Sequence, residues 1–303
     1  MERTPSPEPR GPWFKAVDRM ILAAAAALAA VAAVFHPRPL PILTWLAVLA
    51  LGLPAAAAAG RRSAVARAIH AFFPLPAVSA IFSLAGPLIG AANPARWDAT
   101  FAAADLHLFG PLAPAWRAAL GRPAWLTDLA SALYFSYYVI PVAMGVALYA
   151  RRRQAEFDEL TFGLIATLLA SYVGYFLFPT TGPRVPAADE LRVLGGGALS
   201  AWVRAFLRVA EVNQLDAFPS GHTALSLVFL YYGWRMLPRF RAPLATAAAG
   251  IVFATVYLSL HYVVDLLAGA ALALVMVRVA PAARGVLGEP SGPIVQARIT
   301  MDP

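Results

Sequence analysis

Apolar stretches of roughly twenty residues follow one another along most of this 303-residue chain. A run of that length is long enough to cross the hydrocarbon core of a bilayer as an α-helix. Eight such runs are present, at residues 20–35, 40–59, 71–92, 126–149, 159–178, 219–237, 243–260 and 263–280. The pattern predicts an all-α fold, a polytopic membrane helix bundle with about eight transmembrane helices.

Composition supports the same interpretation, because 60% of the residues are hydrophobic and 13% are charged. Soluble proteins carry about 25% charged residues, so a soluble globular fold is excluded. The chain has no cysteine, which excludes a disulfide scaffold and a zinc site built on cysteines.

The basic residues predict the orientation. With the amino terminus inside, sixteen of the 24 basic residues fall on the inner side of the eight spans, so both termini are expected in the cytoplasm. The expected parts are a tail (1–19), a two-span extension (20–70), a six-helix catalytic core (71–280) and a second tail (281–303). We expect the cell (plasma) membrane, and the excess of arginine over lysine indicates a bacterial genome.

The two long loops, 93–125 and 179–218, are then expected on the outer side. In the second loop, residues 199–209 place Trp202 and Phe206 near one helix face and Arg204 and Arg208 on another. This pattern is typical of a helix in the membrane interface. A packed helix without lipid contact fits it equally well.

The first segment with candidate chemistry is FPSGHT, which contains His222 and directly precedes an apolar run. Proline near a helix start, followed by small residues, leaves the first backbone N–H groups free to bind an anion. His222 adds a donor that can be charged near neutral pH. An ordinary helix cap has the same residues, so this segment alone leaves both interpretations open.

The second segment contains His261 and Asp265, four residues apart. On a helix they share one face, so the carboxylate can hold one imidazole nitrogen and leave the other as a nucleophile. The alternative is a structural hydrogen bond between helices. The cost of ionisable groups within a membrane favours a functional site.

The third segment ends the fifth span, where Pro179 stops the helix and Arg184 follows. A guanidinium there is suited to hold phosphate, although an arginine extending to lipid headgroups is the simpler interpretation. The alternation of spans places Arg184, His222, His261 and Asp265 on one membrane face, which favours an active site.

The PSGH segment, followed about forty residues later by His-x-x-x-Asp, resembles the type 2 phosphatidic acid phosphatase (PAP2) superfamily, whose members hydrolyse or transfer lipid phosphates. The resemblance covers roughly residues 126–280. It implies that His261 attacks phosphorus, that Asp265 orients it and that His222 protonates the leaving oxygen. The residues implied to hold the phosphate are Arg184, Ser220 and Gly221.

Two basic residues of the phosphatase branch are missing, because the chain has no lysine after Lys15 and has Thr255 where that branch has arginine. The FPxxGPR and HYVVD segments instead resemble the aureobasidin-sensitive inositol phosphorylceramide synthase branch. A pocket with less positive charge suits a phosphodiester, which bears one negative charge, better than a dianionic monoester.

We therefore predict an integral membrane lipid phosphotransferase with a phosphohistidine-type intermediate, transferring a headgroup such as inositol phosphate. The alternatives are a lipid phosphate phosphatase acting on phosphatidate or prenyl diphosphate, a phospholipid transporter, and an inactive scaffold. The expected partners are the lipid substrate and the bilayer, with no nucleic acid, and the oligomeric state stays open. No cofactor or metal is expected, since no cluster of three acidic residues is apparent in the sequence.

Overall fold

The computed structural model describes residues 13–184 and 195–289, and every regular element in these ranges is a helix. The α-helices are α1 Ala16–Phe35, α2 Leu40–Gly60, α3 Ala64–Phe72, α4 Pro74–Ala92, α5 Asp98–Phe109, α6 Leu112–Leu120, α7 Ala124–Ala150, α8 Gln154–Leu177, α9 Ala198–Ala210, α10 Gly221–Met236, α11 Arg241–Tyr257 and α12 Val263–Val286. A short 3₁₀-helix, Pro238–Phe240, joins α10 to α11.

Seven helical segments in the described ranges are long and apolar enough to cross a membrane. They are Ala16–Phe35, Leu40–Gly60, Ala64–Ala92, Ala124–Ala150, Gln154–Leu177, Pro238–Tyr257 and Val263–Val286. The predicted fold class, an all-helical polytopic membrane bundle, is confirmed. The predicted sixth span, 219–237, corresponds to α10. This helix has only 16 residues and is about 24 Å long, because residues 218–220, which we call the FPS turn, lie before its first residue and are not helical.

Helix α8 lies at the centre of the bundle, where it packs against α1, α4, α7, α10 and α12. Within an apolar stretch of 18 residues of α8, 56% is buried, whereas the corresponding share in the other candidate spans is 28–39%. Close approach to α10 depends on Gly163, since a Cβ there would lie 2.4 Å from the hydroxyl of Tyr232. The central helix is therefore shielded from lipid by its neighbours, and the site described below lies at its carboxyl end.

The amino-terminal helices pack onto this core. Helix α1 contacts α2, α4 and α8. A buried hydrogen-bond contact of 3.0 Å between Nε2 of His70 and Oδ2 of Asp18 ties α1 to α3. Lys15 Nζ reaches Asp158 of α8 at 2.5 Å. The predicted tails lie largely outside the described residues, apart from 13–19 and 281–289, and α1 begins at Ala16 inside the predicted first tail.

We call the end of the bundle where α8 and α11 end, and where α10 and α12 begin, the histidine end. Helices α5, α6 and α9 belong to the connections at this end. The predicted amphipathic helix at 199–209 is present as α9, which packs against α7 with Val203 buried. The Phe206 ring lies 5.1 Å from that of Phe135 of α7, while Trp202 remains half exposed.

Candidate active site

His261 lies in the turn between α11 and α12. Its Nδ1 is 3.0 Å from the carbonyl oxygen of Ala217, which can accept but not donate, so Nδ1 carries the hydrogen. Asp265 Oδ2 lies 3.4 Å from the same nitrogen and also accepts the N–H of Tyr262 at 2.8 Å. In the neutral ring, Nε2 is therefore left with a free lone pair.

His222, the second residue of α10, faces that lone pair. Its Nδ1 lies 3.5 Å from Nε2 of His261. The ring is held between the aromatic rings of Tyr134 and Tyr137, at centroid distances of 4.3 and 4.2 Å. Its other nitrogen, Nε2, lies 3.4 Å from Oε1 of Glu211, within ion-pair range. The two imidazoles thus face each other, with the Ala217 carbonyl and the Asp265 carboxylate beside the far nitrogen of His261 and the Glu211 carboxylate beside that of His222.

Glu211 is a member of this group that the sequence did not indicate. Its Oε1 accepts the hydroxyl of Tyr134 at 2.7 Å and that of Tyr138 at 2.5 Å. Burial alone raises the pKa of Glu211, but His222 and the two tyrosine hydroxyls outweigh it and lower the pKa to about 2. Glu211 is therefore a charged carboxylate beside His222 at neutral pH.

Arg184 lies just beyond the end of α8 and pairs with Asp216. Its Nε donates to the carbonyl oxygen of Thr181 at 2.7 Å. Burial lowers the pKa of Arg184, but the adjacent Asp216 carboxylate outweighs burial and raises it above its usual value. Burial raises the pKa of Asp216 even with the guanidinium beside it. Much of the charge that Arg184 offers a phosphate is thus compensated by its own neighbour.

Ser220 and Gly221 begin helix α10. Ser220 is fully buried, its N–H donates to the carbonyl oxygen of Asp265 at 3.0 Å, and its Oγ accepts the N–H of Thr223 as a helix cap. Within the described residues, the N–H groups of Gly221 and His222 make no hydrogen bond. These two donors at a helix start are suited to a phosphate oxygen.

Two carboxylates of α5 hold the segments that carry the site. Asp98 Oδ1 accepts the N–H groups of Thr181 and Gly182, at 2.9 and 3.0 Å, and the Thr181 hydroxyl at 2.7 Å. Asp105 accepts the N–H of Val264 at 2.9 Å, which caps the start of α12. The loop before Arg184 and the helix after His261 are therefore braced from the same short helix.

Close packing fixes the turn before His222. Gly174 of α8 faces Pro219, and a Cβ at Gly174 would lie 2.2 Å from its Cδ. The phenyl ring of Phe218 stacks on Phe101 of α5 at 4.2 Å. Any side chain at position 174 would push the turn away from α8, so glycine is required for this approach.

Arg117 of α6 supports the other turn. Its side chain is 2% exposed, and Nη1 donates to the carbonyl oxygen of Tyr257 at 3.2 Å and to Ser259 Oγ at 2.7 Å. These contacts hold the connection that carries His261. No pattern in the sequence indicated this role for Arg117.

A cavity of about 470 Å³ opens at the two histidines. Four of the six predicted site residues line it, namely Arg184, Gly221, His222 and His261. Asp265 and Ser220 are buried and do not line the cavity. Asp265 Oδ2 lies 3.4 Å from Nδ1 of the lining residue His261, and Ser220 donates its N–H to the carbonyl oxygen of Asp265. Two residues that were not predicted, Glu211 and Asp216, also line the cavity.

The chain is similar to known proteins. The profile of the PAP2 superfamily matches residues 99–279, more than half of the chain, so the chain belongs to this superfamily. It is also similar to a PA-phosphatase related-family protein of Dictyostelium discoideum, with 28% identity over 163 residues. That match covers 47% of this chain and 30% of the relative, so the aligned region is under a third of the relative's length.

No solved structure matches the chain. Membership of the superfamily supports the predicted class of enzyme, a phosphatase or phosphotransferase. Neither match distinguishes the inositol phosphorylceramide synthase branch from the others, so the branch remains a prediction.

Proposed function

We propose that this protein is a membrane phosphotransferase that acts on lipid phosphoesters through a phosphohistidine on His261 and transfers a headgroup such as inositol phosphate. The observation that carries the proposal is the opposed pair of imidazoles, with Nε2 of His261 3.5 Å from Nδ1 of His222 at the head of a cavity. One ring presents a lone pair and the other can present a proton to the same point, as nucleophilic displacement at phosphorus requires.

In the first half-reaction, Nε2 of His261 attacks phosphorus and the bond from phosphorus to the leaving oxygen breaks. His222, as an imidazolium, transfers its Nδ1 proton to that oxygen. The phosphorylated His261 ring is positive, and the Ala217 carbonyl and the Asp265 carboxylate beside Nδ1 stabilise it. Phosphorus has to lie between the two nitrogens, so the rings separate when the substrate enters.

In the second half-reaction, the hydroxyl of the acceptor attacks the phosphohistidine. His222, now neutral, takes the hydroxyl proton, the N–P bond breaks, and both histidines return to their starting states. Glu211 beside Nε2 favours the charged ring and so prepares His222 for the next cycle. Gly221 and Arg184 are the proposed ligands of the phosphoryl oxygens.

Charge matching favours a diester donor. Each cationic or protonatable group of the site faces its own carboxylate, in the pairs Arg184 with Asp216, His222 with Glu211, and His261 with Asp265. Thr255, which stands where the phosphatase branch has arginine, is fully buried and its hydroxyl bonds to the carbonyl oxygen of Val252. A phosphodiester, with one negative charge, needs less compensation than a monoester with two.

Hydrolysis of a lipid phosphate is the second candidate. It is favoured by the similarity to the PA-phosphatase related-family protein of Dictyostelium discoideum. The same two half-reactions serve, with water as the acceptor and phosphatidate or a prenyl diphosphate as the donor. The choice between water and an alcohol therefore depends on what enters the cavity, and not on the histidines.

The proposed setting is the plasma membrane of a bacterium, with both termini in the cytoplasm and the histidine end on the outer face. The excess of basic residues in the connections at the opposite end of the bundle supports this orientation. The lipid donor and the acceptor would then both enter from the outer leaflet.

The test compares two reactions of the purified protein in bilayers. Transfer of labelled inositol phosphate from phosphatidylinositol to a lipid alcohol is measured beside release of free phosphate from phosphatidate. The proposal expects transfer to be faster, and His261→Ala to abolish both. Faster phosphate release would establish the phosphatase alternative, and equal rates with and without His261 would overturn the mechanism.

A further inference from the structure

The cavity at the histidines continues as an apolar channel between α4, α7 and α8. Along α8 its lining extends from Tyr175, near the histidine end, to Phe157. These positions are eighteen residues apart, which at 1.5 Å per residue is about 27 Å, close to the roughly 30 Å thickness of a hydrocarbon core. The channel therefore reaches most of the way toward the opposite end of the bundle.

The lining changes character along this length. Its charged and imidazole groups, which are Arg184, Glu211, Asp216, His222 and His261, all lie at the histidine end. Farther along, most of the lining residues are aliphatic or aromatic, as at Val78, Val142 and Leu164, and the polar ones, Ser79, Ser83 and Thr161, carry hydroxyls and no charge. The hydroxyls of Ser79 and Ser83 bond to carbonyl oxygens of their own helix. A polar head and a long apolar tail are what an amphipathic lipid phosphate presents.

The channel is narrow and open to one side. About 470 Å³ distributed over about 27 Å leaves a mean cross-section of about 17 Å², room for one hydrocarbon chain given carbon contacts of 3.5–4.0 Å. Helices α4 and α7 both pack against α8 and not extensively against each other. Three residues of α4 that line the channel, Leu75, Ser79 and Ser83, are also exposed. A chain can therefore enter sideways from the membrane.

We propose that this channel binds one hydrocarbon chain of the lipid phosphoester whose phosphate lies at the histidines, and that it selects for long chains. The inference rests on the proposed function for the identity of the headgroup site. The channel and the headgroup site are two parts of one cavity. The chain that fills the channel therefore belongs to the same lipid whose phosphate lies at the histidines. Half of a hydrocarbon core is about 15 Å, so a chain filling the channel passes the bilayer midplane.

Blocking the channel midway tests the length selection. Val142→Trp places a large ring in the channel, and Val146→Trp, one turn along α7 on the exposed surface, is its matched control. Turnover is measured on hexyl, decyl and hexadecyl esters bearing the same headgroup. Val142→Trp should lower kcat/KM for the hexadecyl ester at least tenfold while leaving that for the hexyl ester unchanged, and Val146→Trp should change neither.

Turnover of the hexyl ester also reports that Val142→Trp is folded. If it is lost, Ser79→Phe, which enters the same channel from α4, replaces that variant. Equal losses on the short and long esters in a folded variant would overturn the proposal. So would a wild-type enzyme with no preference for the longer chain.

Binding of the chain in the channel is tested separately from turnover, so that the result does not depend on whether the proposed reaction is correct. His261→Ala protein is irradiated with a hexadecyl phosphate that carries a diazirine at the chain end. Crosslinks are expected on α8 between Phe157 and Leu164, and Val142→Trp should abolish them. Crosslinks confined to exposed positions such as Val139 and Val146 would show that the probe contacts the protein only from the surrounding bilayer. That result would overturn the proposal that the channel binds the chain, even if turnover were normal.

Discussion

Nε2 of His222 lies 3.4 Å from Oε1 of Glu211, and the same oxygen accepts the hydroxyls of Tyr134 and Tyr138. The carboxylate is thereby fixed beside the ring, and it favours the protonated imidazole that the first half-reaction needs. The site accordingly has two carboxylates behind its two histidines, Asp265 behind His261 and Glu211 behind His222. Only the first of these pairs follows from spacing along the chain.

Removing the charge of Glu211 should change the pH dependence of catalysis. In Glu211→Gln the imidazolium of His222 loses its counter-charge, so the general acid deprotonates at lower pH. We expect the basic limb of the pH–rate profile to move to lower pH and the rate at neutral pH to fall at least tenfold. Glu156→Gln, which removes a carboxylate paired with Arg153 at the opposite end, is the control. An unshifted basic limb would mean that another group sets the protonation of His222.

Glu211 should also make stability sensitive to acid. Its pKa is lowered in the fold to about 2 from a usual value of 4.5, so its stabilisation is complete above 4.5 and is lost as the pH falls toward 2. The Tm of the wild type in detergent should therefore fall more steeply than that of Glu211→Gln between about pH 4.5 and pH 2. Parallel curves would show that Glu211 is no better stabilised in the fold than in the unfolded chain.

His261 should carry the phosphoryl group. A donor labelled at phosphorus should leave an acid-labile label on the wild type and none on His261→Ala. With p-nitrophenol as the leaving group, which needs no proton, His222→Ala should still become labelled because only leaving-group protonation has been removed. Label on His261→Ala would move the nucleophile elsewhere. Asp265→Asn should keep the label but lose roughly 10²- to 10⁴-fold in rate.

The sequence predicted what is encoded locally. The helices follow from the lengths of apolar runs, and the pair His261 and Asp265 follows from a four-residue spacing on one helix face. Glu211 and Asp216 were missed because they lie in a connection, where acidic residues are usually solvated and no periodicity reports their direction. They face the cavity because α9 packs on α7 and because the FPS turn folds back against α8.

The hydrogen-bond acceptor for His261 illustrates the same limit. It is the backbone oxygen of Ala217, forty-four residues away, and a carbonyl group leaves no mark in the sequence. The assignment of Asp265 as the orienting residue followed from the side chains alone. In the structure, Asp265 shares that position with a backbone group that every residue type would supply.

Gly174 should be required for the geometry of the site. In Gly174→Ala the new Cβ would lie 2.2 Å from Cδ of Pro219, so the turn before His222 has to move away from α8. We expect at least a tenfold loss of kcat/KM. Gly285→Ala is the control, since a Cβ there meets no atom within 4 Å. Full activity of a folded Gly174→Ala protein would show that the turn tolerates displacement.

Asp216 should set the preference between diesters and monoesters. It pairs with Arg184, and both side chains are largely buried, at 12% and 18% exposure. In Asp216→Asn the guanidinium keeps its place in the cavity wall but loses the opposing charge, and a dianionic phosphate gains about twice the attraction that a singly charged diester gains. We expect the ratio of kcat/KM for phosphatidate to that for phosphatidylinositol to rise at least about threefold. Asp158→Asn, which removes a paired carboxylate at the opposite end of the bundle, should leave the ratio unchanged. A ratio that stays constant or falls in Asp216→Asn would show that the pairing with Asp216 does not limit the positive charge available to the substrate. The charge-matching argument for a diester donor would then lose its basis.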